Sequence, residues 1–353
     1  MIAMPATRCR DTRGPAYRRS MTELRFVPYH LLGDTPNVVV DGSPTASTLL
    51  TLSHWPGSPT PIDLLDDLSA QIAFHALERP ALFDGIDAVS NNHFDQDGLM
   101  CAYALLDRGA ATERRAQVID VASAGDFATF TDRDSMRVAM TLAAFDDPDR
   151  SPLDGEVFAH GYQHQCGRLY ELLLPRVGEL LDHPERSHDL WAAENAHLDE
   201  SLDAIDRGIV VLREHRDVHL AEVVVPDDWA ERVASRFTVE RAAAVHPAAI
   251  NTRTECMRLL VSHGNQHRVE LRYETWVMYR SHPVPARPDL RVLATRLDGL
   301  EGRACWRADP PGALTPMLQP DAQGSSLSLD RFRDELVAFL RTAPAAWDPF
   351  APN

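Results

Sequence analysis

The feature that most constrains this chain is the alternation of short apolar bursts with helical stretches between residues 30 and 150. Val38–Asp41 runs Val-Val-Val into Asp41-Gly42. Thr48–Ser53 is a second β-rich burst, ending in His54-Trp55-Pro56-Gly57, and Ile86–Ser90 is a third. Bursts of this length bounded by turn formers read as buried strands. Pro61–Leu77 places Leu64, Leu65, Leu68, Ile72 and Phe74 on one helical face. Gly98–Arg108 reads as a further helix, Gln117–Val121 as a strand and Ser123–Asp126 as a turn. Strand alternating with helix predicts an α/β fold, a parallel sheet with flanking helices.

Beyond residue 150 the pattern changes. Residues 155–217 read as helical, with Leu169, Leu172, Leu173 and Val177, then Trp191, Leu198, Leu202 and Ile205, at helical spacing. Extended segments follow at Leu220–Val225, Ala242–Val245, Met257–Val261, Val269–Tyr279 and Leu290–Leu297, with a last helix at Asp330–Arg341. The predicted organisation is a disordered basic tail over 1–20, an α/β domain over 21–150, a helical segment over 151–217 and a smaller α+β domain over 218–345. Met21-Thr22-Glu23 reads as a natural start.

Composition removes several function classes. All 35 basic residues are arginine, so there is no P-loop lysine, Schiff base or lysine general base. A net charge of -17 argues against a long nucleic-acid track and favours a small phosphorylated substrate. The five cysteines are scattered without a Cys-x-x-Cys pair, which suits a reducing, cytoplasmic setting. No apolar run reaches membrane-spanning length. No Gly-x-Ser-x-Gly elbow or Gly-x-Gly-x-x-Gly loop occurs. Oligomeric state is open.

The segment with chemistry in it is His93-Phe94-Asp95-Gln96-Asp97-Gly98. A strand ending here points His93, Asp95 and Asp97 to one side, while Phe94 packs away. Two neighbouring carboxylates repel each other, and a divalent metal relieves that. Mixed His/Asp ligation suits Mn²⁺, and also Fe²⁺ or Zn²⁺, better than Ca²⁺. Gly98 then opens a helix whose first amides can hold a phosphate oxygen. The alternative is a polar loop with an aspartate capping the helix.

His93-x-Asp95-x-Asp97-Gly98-Leu99, followed by the small-residue helix Cys101-Ala102-Tyr103-Ala104, resembles the first motif of the DHH phosphoesterase superfamily. The resemblance implies a two-metal centre, with His93, Asp95 and Asp97 as metal-supporting catalytic residues and metal-activated water as the nucleophile. The Asp-His-His triplet that names the superfamily does not occur here. Asp126 is placed to add a carboxylate. Two segments compete to complete the site. His160 and His164, four apart, can share a helix face and meet the substrate. Alternatively Asp41, then Ser53-His54-Trp55-Pro56 and the helix at Asp67-Leu68-Ser69-Ala70, echo the later superfamily motifs moved ahead of the first, so that Asp41 and His54 join the metal ligands. Arg253 is a candidate anion contact, or else an ion-pair partner of Glu255 or Glu270. Glu194-x-x-His197 reads as a solvated helix face and Tyr273–Tyr279 as a core strand. The functional expectation is a metal-dependent phosphoesterase. The alternatives are a metal hydrolase with a non-phosphate substrate and a catalytically degenerate binding or regulatory protein.

Overall fold

The computed structural model describes residues 24–237, 239–302 and 305–351; the expected tail over 1–20 lies outside them. The fold is α/β, with two sheets. The first carries β1 (Arg25–Phe26), β2 (Asn37–Val40), β3 (Thr48–Leu52) and β4 (Ala88–Ser90), all parallel, in the order β1-β4-β2-β3. Val40 pairs with Leu52, and Val39 with Ser90, so all three strands end at one level. Helices α1 (Ser69–Leu77), α2 (Gln96–Leu106), α3 (Arg108–Glu113), α4 (Arg115–Asp126) and α5 (Arg133–Asp146) follow. β2 is buried throughout, as a central parallel strand must be.

Next come α6 (Tyr162–Leu173), α7 (Val177–Asp182) and α8 (His188–Asp206). They divide between two cores. Leu169, Leu173, Val177 and Leu181 pack into the core of the first sheet, whereas Trp191, Leu198 and Ala204 pack with Ala221 and Val223 of the second. The second sheet is mixed. It holds β5 (Val211–His215), β6 (Leu220–Val225), β9 (Arg258–His263), β10 (Gln266–Leu271), β11 (Trp306–Ala308) and β12 (Met317–Pro320), ordered β11-β12-β10-β9-β6-β5. A separate hairpin, β7 (Arg232–Arg236) and β8 (Val239–Ala243), leads into α9 (Pro247–Asn251). Helices α10 (Leu290–Asp298) and α11 (Leu329–Thr342) bury Leu293, Leu297, Phe332 and Leu336 in a third core.

Four segments differ from the sequence expectation. Residues 117–121, expected as a strand, lie inside α4. The buried Val118, Val121, Ala122 and Gly125 recur at i, i+3, i+4 and i+7, a helical period. Leu290–Leu297 is likewise helix α10, with Leu290, Leu293, Ala294 and Leu297 at the same spacing and Asp289 capping Arg291 N at 3.0 Å. The expected strand Val269–Tyr279 stops at Leu271 and turns into a short 3-10 segment, Tyr273–Thr275. The helix expected over Pro61–Leu77 begins only at Ser69, because the amides of Ser69 and Ala70 are bound by a carboxylate at the site.

Candidate metal centre

Parallel strands that end together put their following residues in one crevice, where open α/β sheets gather ligands. Asp41 follows β2, His54 lies two residues beyond β3, and His93 and Asp95 follow β4. Asp41 sits in the left-handed region, φ 43°, which aspartate tolerates better than most residues. Gly42 is required beside it, since a Cβ there would stand 2.1 Å from Asn92 Oδ1.

Each side chain is held by neighbours. Asp97, in the first turn of α2, accepts Ser69 N at 2.7 Å and Ala70 N at 2.8 Å, so the N-terminus of α1 grips it. Asp41 Oδ1 accepts the Ser69 hydroxyl at 2.7 Å. Asp95 caps α2 through Oδ1, 2.8 Å from Gly98 N, and turns Oδ2 to His93 Nε2 at 2.9 Å. The helix-cap and metal-ligand readings of Asp95 are therefore compatible.

His54 is the most informative member. Its Nδ1 lies 2.5 Å from the Asp67 carbonyl, which can only accept, so Nδ1 carries the proton. In the neutral ring, Nε2 then presents a lone pair to carboxylates: Asp126 Oδ2 at 3.3 Å, Asp41 Oδ1 at 3.5 Å and Asp97 Oδ2 at 3.9 Å. A lone pair among carboxylates calls for a cation between them, and a second ring nitrogen fixed on a carbonyl is the usual support of a metal-bound histidine. Asp126 ends α4, where a carboxylate opposes the helix dipole, which a cation would offset.

The charges are strained in the same sense. Burial raises the Asp97 pKa well above the carboxylate range, and the Asp41 and Asp95 charges add to it against the α1 amides. Burial works likewise on Asp41, but the His93 hydrogen bond and charge, with His54 and Ser69, hold its pKa below the ordinary value. Burial disfavours a charged His93, yet Asp95 and Asp41 raise its pKa well above the imidazole range. Among the described residues no arginine pairs with Asp41, Asp95 or Asp97.

The donor atoms form two groups, Asp41/His54/Asp97 and Asp41/His93/Asp95, each with all its atoms within 4.8 Å of one another. Asp41 belongs to both, and each group has the mixed His/carboxylate chemistry of a divalent transition-metal site. The cluster is deeply buried. His54 and Asp97 are fully covered and Asp41 is 1 % exposed, while His93 is 16 % exposed at the side-chain level.

The structure thus brings together Asp41, His54, His93, Asp95, Asp97 and Asp126. It leaves out the remaining candidates. His160 is exposed and bonded to Glu156 Oε1 at 2.6 Å, while the His164 ring packs at 5.0 Å from His160 and 6.4 Å from His30. They lie at the start of a different helix, α6, and do not complete the site. Arg253 pairs through Nε and Nη2 with Asp206, 2.9 Å each, rather than with Glu255, Glu270 or an anion. The Gly98 amide is taken by Asp95 Oδ1 and is not offered to a phosphate. The glycine is still needed, because a Cβ would stand 2.4 Å from Asn91 Nδ2 and 2.5 Å from the Tyr170 hydroxyl. Gly98→Ala is expected to lose about 1–3 kcal/mol of stability through overpacking, measured by urea denaturation. Glu194 and His197, expected on a solvated face, are 2 % and 1 % exposed. Glu194 accepts the Ser235 hydroxyl at 2.8 Å and His197 sits between the carbonyls of Val233 and Ala244.

Further residues, none of them expected as a ligand, support the centre. Asp67 orients His54 through its carbonyl, and its Oδ1 binds the amides of Arg280 and Ser281 at 2.7 and 2.9 Å. The His54 carbonyl binds Met278 N at 2.8 Å. This ties residues 273–281 over the centre and brings the Tyr273 hydroxyl to 3.5 Å from His54 Nε2. Burial pushes the Tyr273 phenol well up, with Asp126 and Asp41 adding to it. Trp55 packs at 5.0 Å on His93 and at 5.7 Å, edge to face, on Trp276.

A family model matches residues 22–351, nearly the whole described chain. The chain belongs to DUF6687, a family of unknown function. No curated protein and no solved structure matches it. Among the described residues, no helix of this DUF6687 member is long and apolar enough to cross a membrane.

Proposed function

We propose that this protein is a divalent-metal-dependent phosphoesterase, related to the DHH phosphoesterases, that hydrolyses a small phosphodiester, short oligonucleotide or related phosphorylated compound. The observation that carries the reading is the sharing of Asp41 between two His/Asp groups at the ends of parallel strands. Within the DHH resemblance, residues 41–70 take the place of the later motifs ahead of the first one, and His54 stands for the middle of the missing triplet. Mn²⁺ is the favoured ion, with Fe²⁺ or Zn²⁺ as alternatives.

When bound, the metal supplies a Lewis acid and acidifies the attacking water. The chain's own residues do the rest. Asp41, Asp95, Asp97, Asp126, His54 and His93 hold the ions, and the α1 amides and the Asp67 carbonyl fix Asp97 and His54 in place. Trp55, packed on His93 and against Trp276, covers that side of the cluster and limits water.

The purified protein, stripped with EDTA and reloaded with Mn²⁺, is the test. Against bis-p-nitrophenyl phosphate, short oligoribonucleotides and pyrophosphate, the reloaded protein should turn over at least one phosphate ester and the stripped protein none. Absence of turnover with bound Mn²⁺ would reject the phosphoesterase reading; absence of any bound Mn, Fe or Zn would reject the metal centre. Reloading should also stabilise the fold. At a free ion concentration about a hundredfold above Kd the gain is about 2.7 kcal/mol, seen as a rise in melting temperature of roughly 3–4 °C.

A further inference from the structure

The geometry points to a second binding site, behind the wall formed by Phe127 and Tyr279, for a planar uncharged heterocycle presenting one hydrogen-bond acceptor and two donors, the pattern of a guanine base. A cavity of ≈ 430 Å³ lies there, between α1 and α4 on one side and the segment from α9 to residue 282 on the other. That volume is within the range of small-molecule sites. Asp41, His54, His93, Asp95, Asp97 and Asp126 do not line it; the two sites share only Asp67, whose carbonyl holds His54.

Three of the lining residues keep one buried polar atom without a hydrogen-bond partner: Asn251 Oδ1, Arg272 Nε and Glu274 Oε2. The residues are 6 %, 3 % and 1 % exposed. Their other atoms are committed. Asn251 Nδ2 donates to the Phe127 carbonyl at 2.9 Å, Arg272 Nη1 donates to the Thr254 carbonyl at 3.1 Å, and Arg272 Nη2 pairs with Glu274 Oε1. Each spare atom is fully covered, so a ligand in the cavity meets it only after a small turn of a side chain that lines the wall. Buried polar atoms are nearly always satisfied, and three unsatisfied ones around one cavity ask for a ligand that reaches them through small side-chain turns. Two are acceptors and one is a donor, so the complement is two donors and one acceptor.

The walls set the rest of the chemistry. Ile119, Phe127, Met257 and Tyr279 give apolar faces suited to a flat ring. Asp67, Asp120, Glu255 and Glu274 outnumber Arg272, which excludes phosphate and other anions.

Calorimetric titration of the full-length protein with guanosine, adenosine and inorganic phosphate tests this, in EDTA and after Mn²⁺ loading. Guanosine should bind under both conditions, adenosine at least about tenfold more weakly, and phosphate not at all. Ala116 is exposed on α4 and lines the cavity. Ala116→Trp should block entry and weaken guanosine at least about tenfold without shifting the melting temperature. Glu274→Gln should weaken it by a similar factor, and if that variant does not fold, Ala116→Trp decides. No guanosine binding at millimolar concentration, adenosine binding as tightly, or binding untouched by Ala116→Trp would overturn the assignment.

Discussion

Asp41→Asn is expected to empty both halves of the centre and lower turnover by on the order of a thousandfold or more, equivalent to about 4 kcal/mol of barrier. Asp41 is the one carboxylate common to the His54/Asp97 group and the His93/Asp95 group. Asparagine keeps its shape and its tolerance of the left-handed φ of 43°, so the fold should be retained. Its amide oxygen can still accept the Ser69 hydroxyl, but the negative charge needed between the two groups is gone. Asp95→Asn makes the informative comparison. It touches only the His93 group and leaves Asp41, His54 and Asp97 in place, so it should keep one ion while losing the other. Elemental analysis beside turnover reads both. Unchanged metal content in Asp41→Asn would refute the shared-ligand arrangement.

The comparison between these two variants depends on geometry that the sequence only partly exposes. His93, Asp95 and Asp97 were legible because they lie within five residues beyond a strand end, but they converge through a loop and the first turn of α2, not through strand alternation. Asp41 and His54 were legible as one of two options because parallel strands end at a common edge, and the register of Val40 with Leu52 and Val39 with Ser90 selects that option. Asp126 was placed at the site for an incomplete reason. It was expected in a turn after a strand but ends a helix, since Val118, Val121 and Ala122 repeat with a helical period. Asp67 was legible only as the start of a helix, and Tyr273 only as part of a core strand. Asp67 acts on His54 through a backbone carbonyl, which no residue type encodes. Tyr273 meets His54 across 219 residues, from a segment whose alternation resembled an ordinary core strand. What bends that segment away from a strand is a buried arginine further along the chain.

That arginine is Arg287, and Arg287→Met is expected to cost about 3–5 kcal/mol of stability, a larger effect than Gly98→Ala. Arg287 is 1 % exposed, and burial lowers its pKa to about 9. Among the described ion pairs it has no carboxylate partner; its guanidinium instead serves oxygens that would otherwise be stranded. Nε donates to the Thr275 hydroxyl at 2.7 Å, Nη1 to the carbonyls of Pro311 and Ala313 at 2.9 and 2.5 Å, and Nη2 to those of Leu314 and Arg272 at 2.7 and 3.3 Å. Methionine fills much of the same volume but leaves four carbonyls and a hydroxyl without this donor, each costing about 1 kcal/mol or more where water does not reach. A loss of this size should lower the melting temperature of a chain this long by roughly 4–7 °C. It should also loosen Tyr273–Thr275 over the metal centre, since Arg287 clamps both Arg272 and Thr275. Hydrogen exchange resolves the two effects. Amides of 273–281 should lose protection in Arg287→Met before those of β2 and β3 do, because Arg287 bonds directly to Arg272 and Thr275, whereas β2 and β3 are held by their pairing within the first sheet. Uniform loss across the chain would mean that Arg287 supports the fold as a whole and that the segment over the centre has no separate dependence on it.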